Sequence, residues 1–283
     1  MILQNRIDFK GIIVAENCNP NGDPISANNP RQDYEGYGEM SDVCLKRKIR
    51  NRFQDMGFEI LYVSDDKADD GYHSIKQRVD AHKPLHDLLS SKKGDMEDAK
   101  KLACEKWIDV RTFGMVIASK AITSLGVRGP VSITMAHSLE PVDIKWMHIT
   151  KSLNTEGPEG RESSTMGAKR MVAKGVYVFT GSIYPQLAER TGYSEEDAEL
   201  LKKALSTLFV NDASAARPSG SIDIDRLYWW KHNCRIGQYS PLKVFHSVEV
   251  LPSERYPYYT VDENLLEDLE CQIVDTKNYC LEA

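Results

Sequence analysis

The stretch "SDVCLKRKIRNRF", Ser41–Phe53, reads as one helix that sets up an α+β domain. At about 100° per residue, Leu45, Ile49 and Phe53, with Met56 one turn on, fall on a single arc and form a core-facing stripe. Ser41 or Asp42 is placed to cap the helix start. The remaining surface carries Lys46, Arg47, Lys48, Arg50 and Arg52. Lys46 and Arg50 share one flank, Lys48 and Arg52 the other, and Arg47 points away from the core. Only Asp42 and Asp55 are close enough in sequence to offset these charges. The expectation is a docked helix with a broad, nearly single-sign basic face, suited to holding successive phosphates.

Upstream, "RIDFKGIIVAE" (Arg6–Glu16) is rich in β-branched residues and reads as a buried strand. The turn-rich loop "NCNPNGDPISANNPR" (Asn17–Arg31) joins it to the helix. Downstream, residues 64–106 are polar and charged with helical pieces, an expected insertion. "WIDVRTFGMVIAS" (Trp107–Ser119) and "GVRGPVSITMAHSL" (Gly126–Leu139) carry strand character. Residues 140–175 have the pattern of a long hairpin: "VDIKWMHITKSL" and "VYVFTGSIY" flank "NTEGPEGRESSTMGAKRMVAKG" (Asn154–Gly175), a glycine-rich, partly basic stretch expected to be flexible. "SEEDAELLKKALSTLF" (Ser194–Phe209) is a capped helix with an acidic first turn. "IDIDRLYWW" and "LKVFHSVEV" read as late strands. The order strand, helix, strands, helix, strands implies one two-layer α+β domain over 1–283, compatible with a ferredoxin-like core carrying insertions.

The chain has 283 residues and a formal net charge of −6. No apolar run approaches the ~20 residues that span a bilayer, and the start has no signal-peptide pattern, so a cytoplasmic location without membrane contact is expected. The six cysteines are scattered, without a C-x-x-C pair, and read as reduced thiols rather than a zinc or disulfide framework. Acids dominate from Asp262 onward. The basic residues gather at 46–52 and, more loosely, at 161–174, so a local stripe can bind a polyanion that the rest of the surface repels.

Other patterns weigh less. "GRESSTMGAK" lacks the spacing and the Ser/Thr of a phosphate loop. "KGVYVFTG" (Lys174–Gly181) has the Tyr177/Phe179 alternation of an RNA-binding strand, and ordinary core explains it as well. His82 and His86 stand four apart without a metalloprotease motif. Asp223 and Asp225 share one face of a strand. No cofactor, metal set or nucleophile signature emerges.

Together "NPNGDP", "SDVCLKRKIRN", "DVRTFG", "RGPV" and "STMGAKR", in this order, resemble the CRISPR-associated backbone subunit of the type I-C Cascade, of the seventh Cas protein family in the RAMP superfamily. The resemblance covers nearly the whole chain. It implies a modified RRM-like palm, a helical finger insertion (64–106) and an extended β-hairpin thumb (140–175). It also implies copies that stack head to tail along CRISPR RNA, each thumb kinking the RNA and displacing a base while the other bases pair with target DNA. The partners it implies are CRISPR RNA, further copies of the chain, a fifth-family Cas protein and a large subunit. Carried onto this sequence, the RNA contacts are Asn21, Arg31, Lys46, Arg47, Lys48, Arg50, Arg111 and Arg128. The thumb tip becomes Thr165–Arg170, with Met166 as wedge and Lys169 and Arg170 on phosphates. Ala168 stands where a further basic residue is expected.

Two other readings stay open. Related type III subunits cut target RNA with an aspartate in the loop before the basic helix, which makes Asp23 and Asp33 candidates for a metal-dependent ribonuclease. Both also suit turn roles. A protein-docking module with a basic helix fits the charge but not the ordered motifs.

Overall fold

The computed structural model describes residues 1–91, 95–119, 122–150 and 166–277. A twelve-residue strand, β1 (Ile7–Cys18), runs through the middle, buried along nearly its whole length. Two short strands, β2 (Gly22–Asp23) and β3 (Asn29–Pro30), close the next loop on itself. β4 (Tyr37–Met40) then leads into α1 (Asp42–Asp55). A 3-10 turn at Asp65–Lys67 precedes α2 (Ile75–Ala81), α3 (Lys83–Ser90), α4 (Met96–Lys106) and α5 (Ile108–Phe113). The hairpin β5 (Gly114–Ser119)–β6 (Ile122–Arg128) is followed by β7 (Val131–Ile133), β8 (Ala136–Pro141), β9 (Ile144–Thr150) and β10 (Met166–Ile183). The chain continues through α6 (Pro185–Thr191), α7 (Glu195–Ser206), β11 (Ile222–Lys231), α8 (Pro241–His246), β12 (Val248–Pro252), β13 (Tyr259–Glu263) and β14 (Glu270–Val274).

The main sheet is antiparallel in the order β14-β11-β1-β10-β8-β4, with β7 and β9 also on β10. β10 has two roles because of its 18-residue length. Its Val172–Ile183 part pairs with β1, and its Met166–Val172 part pairs with β9, so the central sheet runs continuously into a hairpin stem. One face packs on α1 and α7, burying Leu45, Ile49 and Phe53 with Leu201 and Leu205. Tyr177 and Phe179 lie in this core, so their alternation is packing. The other face is covered by α8 and the β12–β13 hairpin over Ile12, Val14, Tyr228 and Trp230. A separate apolar cluster gathers Val79, Leu85, Leu89, Ala103, Trp107 and Val110, so the helical segment has a core of its own.

Several expectations hold and several change. Ser41 caps α1, its hydroxyl accepting from Cys44 N at 3.1 Å. Ser194 and Asp197 form a reciprocal capping box on α7. Three segments differ. Ile108–Phe113 is a helix: Ile108 and Val110 are buried in two different cores, and burial on both sides removes the period that separates helix from strand. Pro241–His246 is also a helix: Ser240 accepts from Lys243 N and Pro241 sits in the first turn. Met166–Gly175, expected to be flexible, is regular strand. Residues 154–165 of the expected arm lie outside the described residues.

The motifs "DVRTFG" and "RGPV" meet as one backbone crossing. A Cβ on Gly114 (φ +87°) would stand 2.2 Å from the Val127 carbonyl oxygen, and one on Gly129 2.3 Å from that of Thr112. Only glycine allows this approach.

Candidate nucleic-acid interface

The loop before α1 is held by its own side chains. Asp23 accepts from Ile25 N at 3.1 Å and Ser26 Oγ at 3.0 Å, and Arg31 reaches it at 3.4 Å. Asp33 Oδ1 accepts from Glu35 N and Tyr37 N, both at 2.9 Å. Asn21 Oδ1 accepts from Ser41 N at 2.9 Å, which ties the loop to the first turn of α1. Both candidate nuclease aspartates therefore hold turns. Among the described residues no group of three or more His, Cys, Asp or Glu side chains is placed to hold a metal ion.

The expectation of an open basic face on α1 is corrected. Lys48 is 4 % exposed and ion-paired to Asp212, which also receives Arg217 Nε at 2.7 Å. Burial lowers the Lys48 pKa, and Asp212 opposes that shift. Arg50 Nε donates to Asp109 at 3.0 Å, and its guanidinium lies over the rings of Tyr62 and Phe113. Arg52 donates to Thr207 Oγ1 at 3.0 Å. Arg47, expected to point away from the core, donates to the Tyr62 carbonyl and is half-buried. Lys46 pairs with Asp42 at 2.9 Å, one turn back. Asp109 and Asp212 are brought in by the fold from distant segments, and Asp42 and Asp55 come from the helix itself, so part of the charge excess serves packing; Lys46 and Arg47 stay partly accessible and Arg50 and Arg52 less so.

Arg111 follows the same pattern. It lies on α5 rather than a strand end, and its guanidinium grips the Asp197 carboxylate at 2.8 and 2.9 Å, locking α5 to the start of α7. Arg128, at the end of β6, is exposed and has no side-chain partner among the described residues.

The hairpin stem carries the rest. Met166 opens β10 opposite Thr150 in register. Lys169 is half-buried, with no side-chain partner among the described residues. Arg170 stands directly opposite Trp146. Its guanidinium lies 4.0 Å from the indole centroid and donates to the carbonyls of Ser26 at 3.2 Å and Ala27 at 3.5 Å. Met166–Arg170, expected at a thumb tip, is thus stem, and Arg170 fastens that stem to the loop before α1. Between loop and stem lies a groove of ≈ 400 Å³ lined by Asp23, Asn29, Arg31, Asp33, Glu39 and Trp146, among others. Sequence reasoning missed Trp146, which stands in "IKWMHIT" without a period or motif that marks it.

The family described as "CRISPR-associated protein Cas7" matches residues 5–268. A curated "CRISPR-associated protein Cas7" of Haloferax volcanii is 30% identical over 224 residues, which are 71% of this chain and 63% of that relative's length. The chain therefore spans less than two thirds of that relative. A chain of a solved "CRISPR RNA-guided surveillance complex, pre-nicking" is similar at TM-score 0.47 and 14% identity, covering 80% of this chain and 78% of its own. A chain of a "CRISPR RNA-guided surveillance complex" is similar at TM-score 0.44 and 17% identity, with coverages of 89% and 77%.

Proposed function

The chain belongs to the family of CRISPR-associated protein Cas7, and from that premise we propose that it is a non-catalytic backbone subunit of a type I-C Cascade. In this reading it binds CRISPR RNA along its phosphates and assembles head to tail. The guide is thereby displayed for pairing with target DNA, beside a fifth-family Cas protein and a large subunit. The strand order β11-β1-β10-β8, with α1 after β1 and α7 after β10, supports an RRM-like palm. Residues 64–106 are read as the finger insertion and 140–175 as the thumb.

The observation that carries the reading is the docking of Arg170 on the Ser26 and Ala27 carbonyls. It makes loop and hairpin stem one rigid wall, along which a single strand can lie. Lys46, Arg47, Arg128 and Lys169 are the cations left for phosphate, with Asn21 and Arg31 setting the loop and Arg170 holding it to the stem. Lys48, Arg50 and Arg111 act in this reading by holding the surfaces that present them.

The test is to express the chain together with a CRISPR array, purify it, and sequence the nucleic acid that co-purifies. Processed repeat-spacer RNA is expected. Recovery of no nucleic acid, or of DNA alone, overturns the proposal.

A further inference from the structure

We propose that the groove between the loop before α1 and the hairpin stem seats one unstacked nucleobase of the bound RNA, with the indole of Trp146 as its platform. This rests on the RNA-binding reading above and adds to it a site for a base rather than for the backbone.

Trp146 is 57 % exposed, although Arg170 covers one face of its ring. The other three tryptophans, Trp107, Trp229 and Trp230, are 3, 1 and 1 % exposed. A large aromatic held half in water by a fixed neighbour is pre-organised for stacking, and little side-chain freedom remains to be lost on binding. The fixing is threefold: the Trp146–Arg170 register pair, the guanidinium over the ring, and the two loop carbonyls that hold the guanidinium.

The groove also carries unused polar capacity. Asn29 Oδ1 and Arg31 Nε, on two residues that line it, have no hydrogen-bond partner among the described residues. Both lie on the loop side, and they comprise one acceptor and one donor. A nucleobase edge offers both kinds of partner, whereas a phosphate offers acceptors only. The charge argues in the same direction. Asp23, Asp33 and Glu39 line the groove with Arg31, a balance that suits a neutral ring better than a phosphate. Both oxygens of Asp23 and one of Asp33 already accept from loop N–H and O–H donors. Stacking uses a π-face that every base has, so the site is sequence-tolerant.

The experiment uses the full chain and its intrinsic fluorescence, read against oligouridylate and against an abasic ribose-phosphate oligomer of equal length. Because the other tryptophans are buried, RNA-dependent quenching reports Trp146. The expected result is quenching by oligouridylate but not by the abasic oligomer, lost in Trp146→Phe. Trp146→Ala is expected to weaken oligouridylate binding by about 5- to 150-fold, the range of one base–aromatic stack, and Trp146→Phe much less. Thermal melting of both variants confirms that they fold. Binding without quenching, or equal quenching by the abasic oligomer, overturns the base site and leaves the RNA reading standing. Quenching that follows protein concentration alone also overturns it, by assigning Trp146 to contact with a second copy. No binding to either oligomer overturns both readings.

Discussion

Arg50 and Asp109 meet across 59 residues of sequence, Nε to Oδ2 at 3.0 Å, with Asp109 fully buried. The same carboxylate accepts from Leu61 N at 2.8 Å and Tyr62 N at 3.2 Å. It thus pins α1, the chain after α1, and α5 to one point. Asp109→Asn replaces one acceptor oxygen with a donor facing donors and leaves Arg50 unpaired. Breaking a buried, hydrogen-bonded pair from one side costs about 3–5 kcal/mol. Urea unfolding should show a midpoint lowered accordingly with an unchanged m-value. A loss under about 1 kcal/mol would remove Asp109 from this role.

Lys10 gives a pH signature. Its ammonium, 8 % exposed, donates to the carbonyls of Phe245 and Val248, both at 2.6 Å. Burial lowers its pKa from 10.5 to about 8, against a smaller opposing pull from Glu249. Between pH 8 and 10.5 the unfolded chain holds this proton and the folded chain has released it, so Lys10 makes stability rise with pH in that window. Below pH 8 both states are protonated and the cost is constant. The thiols of Cys18, pushed by burial up to about 11, and of Cys104, pushed up to about 12, act in the opposite sense above pH 9. They are common to wild type and Lys10→Met, so the difference between the two proteins isolates Lys10. Wild type should gain stability relative to Lys10→Met as pH goes from 8 to 10. A flat difference across that range contradicts the assignment.

Much of the scaffold was legible because it rests on local rules. The period of Leu45, Ile49 and Phe53, the serine caps of α1 and α7, and the β-branched run of β1 each point to one local structure, and that structure is observed. Trp107–Phe113 was not legible, because burial on all sides erases the amphipathic period that separates helix from strand. The charges of α1 misled for a different reason. Asp109 and Asp212 lie 59 and 164 residues from their partners, and no window along the chain brings them together. The groove needed the register of two strands and the path of a loop at once. A single tryptophan within "IKWMHIT" carries no such information.

We predict, from the turn roles of Asp23 and Asp33, that neither serves a nuclease centre. With guide RNA bound, complementary RNA and DNA should remain intact in magnesium and in manganese over hours. Asp33→Asn is the useful control, because it keeps the side-chain carbonyl that accepts from Glu35 N and Tyr37 N. Asp23→Ala also loosens the loop, so a change in that variant alone is not diagnostic. Cleavage by wild type that vanishes in Asp33→Asn would establish the ribonuclease reading instead.

The salt dependence of RNA binding separates phosphate contacts from scaffolding cations. Each lost contact on a single strand lowers the slope of log K against log salt by about 0.7. Lys46→Gln and Arg128→Gln remove cations that solvent reaches, the first half-buried with one ion pair on its own helix and the second exposed with no side-chain partner among the described residues. Each should lower the slope by about one contact and leave unfolding within about 0.5 kcal/mol of wild type. Lys48→Gln removes a buried cation and leaves Asp212 paired to Arg217 alone. Its first effect should be on stability, by about 1–3 kcal/mol. At temperatures where that variant is fully folded, its slope should match wild type. A slope lowered in folded Lys48→Gln, with an unchanged slope in Lys46→Gln, would return the phosphate grip to the buried side of α1 and overturn the division drawn here.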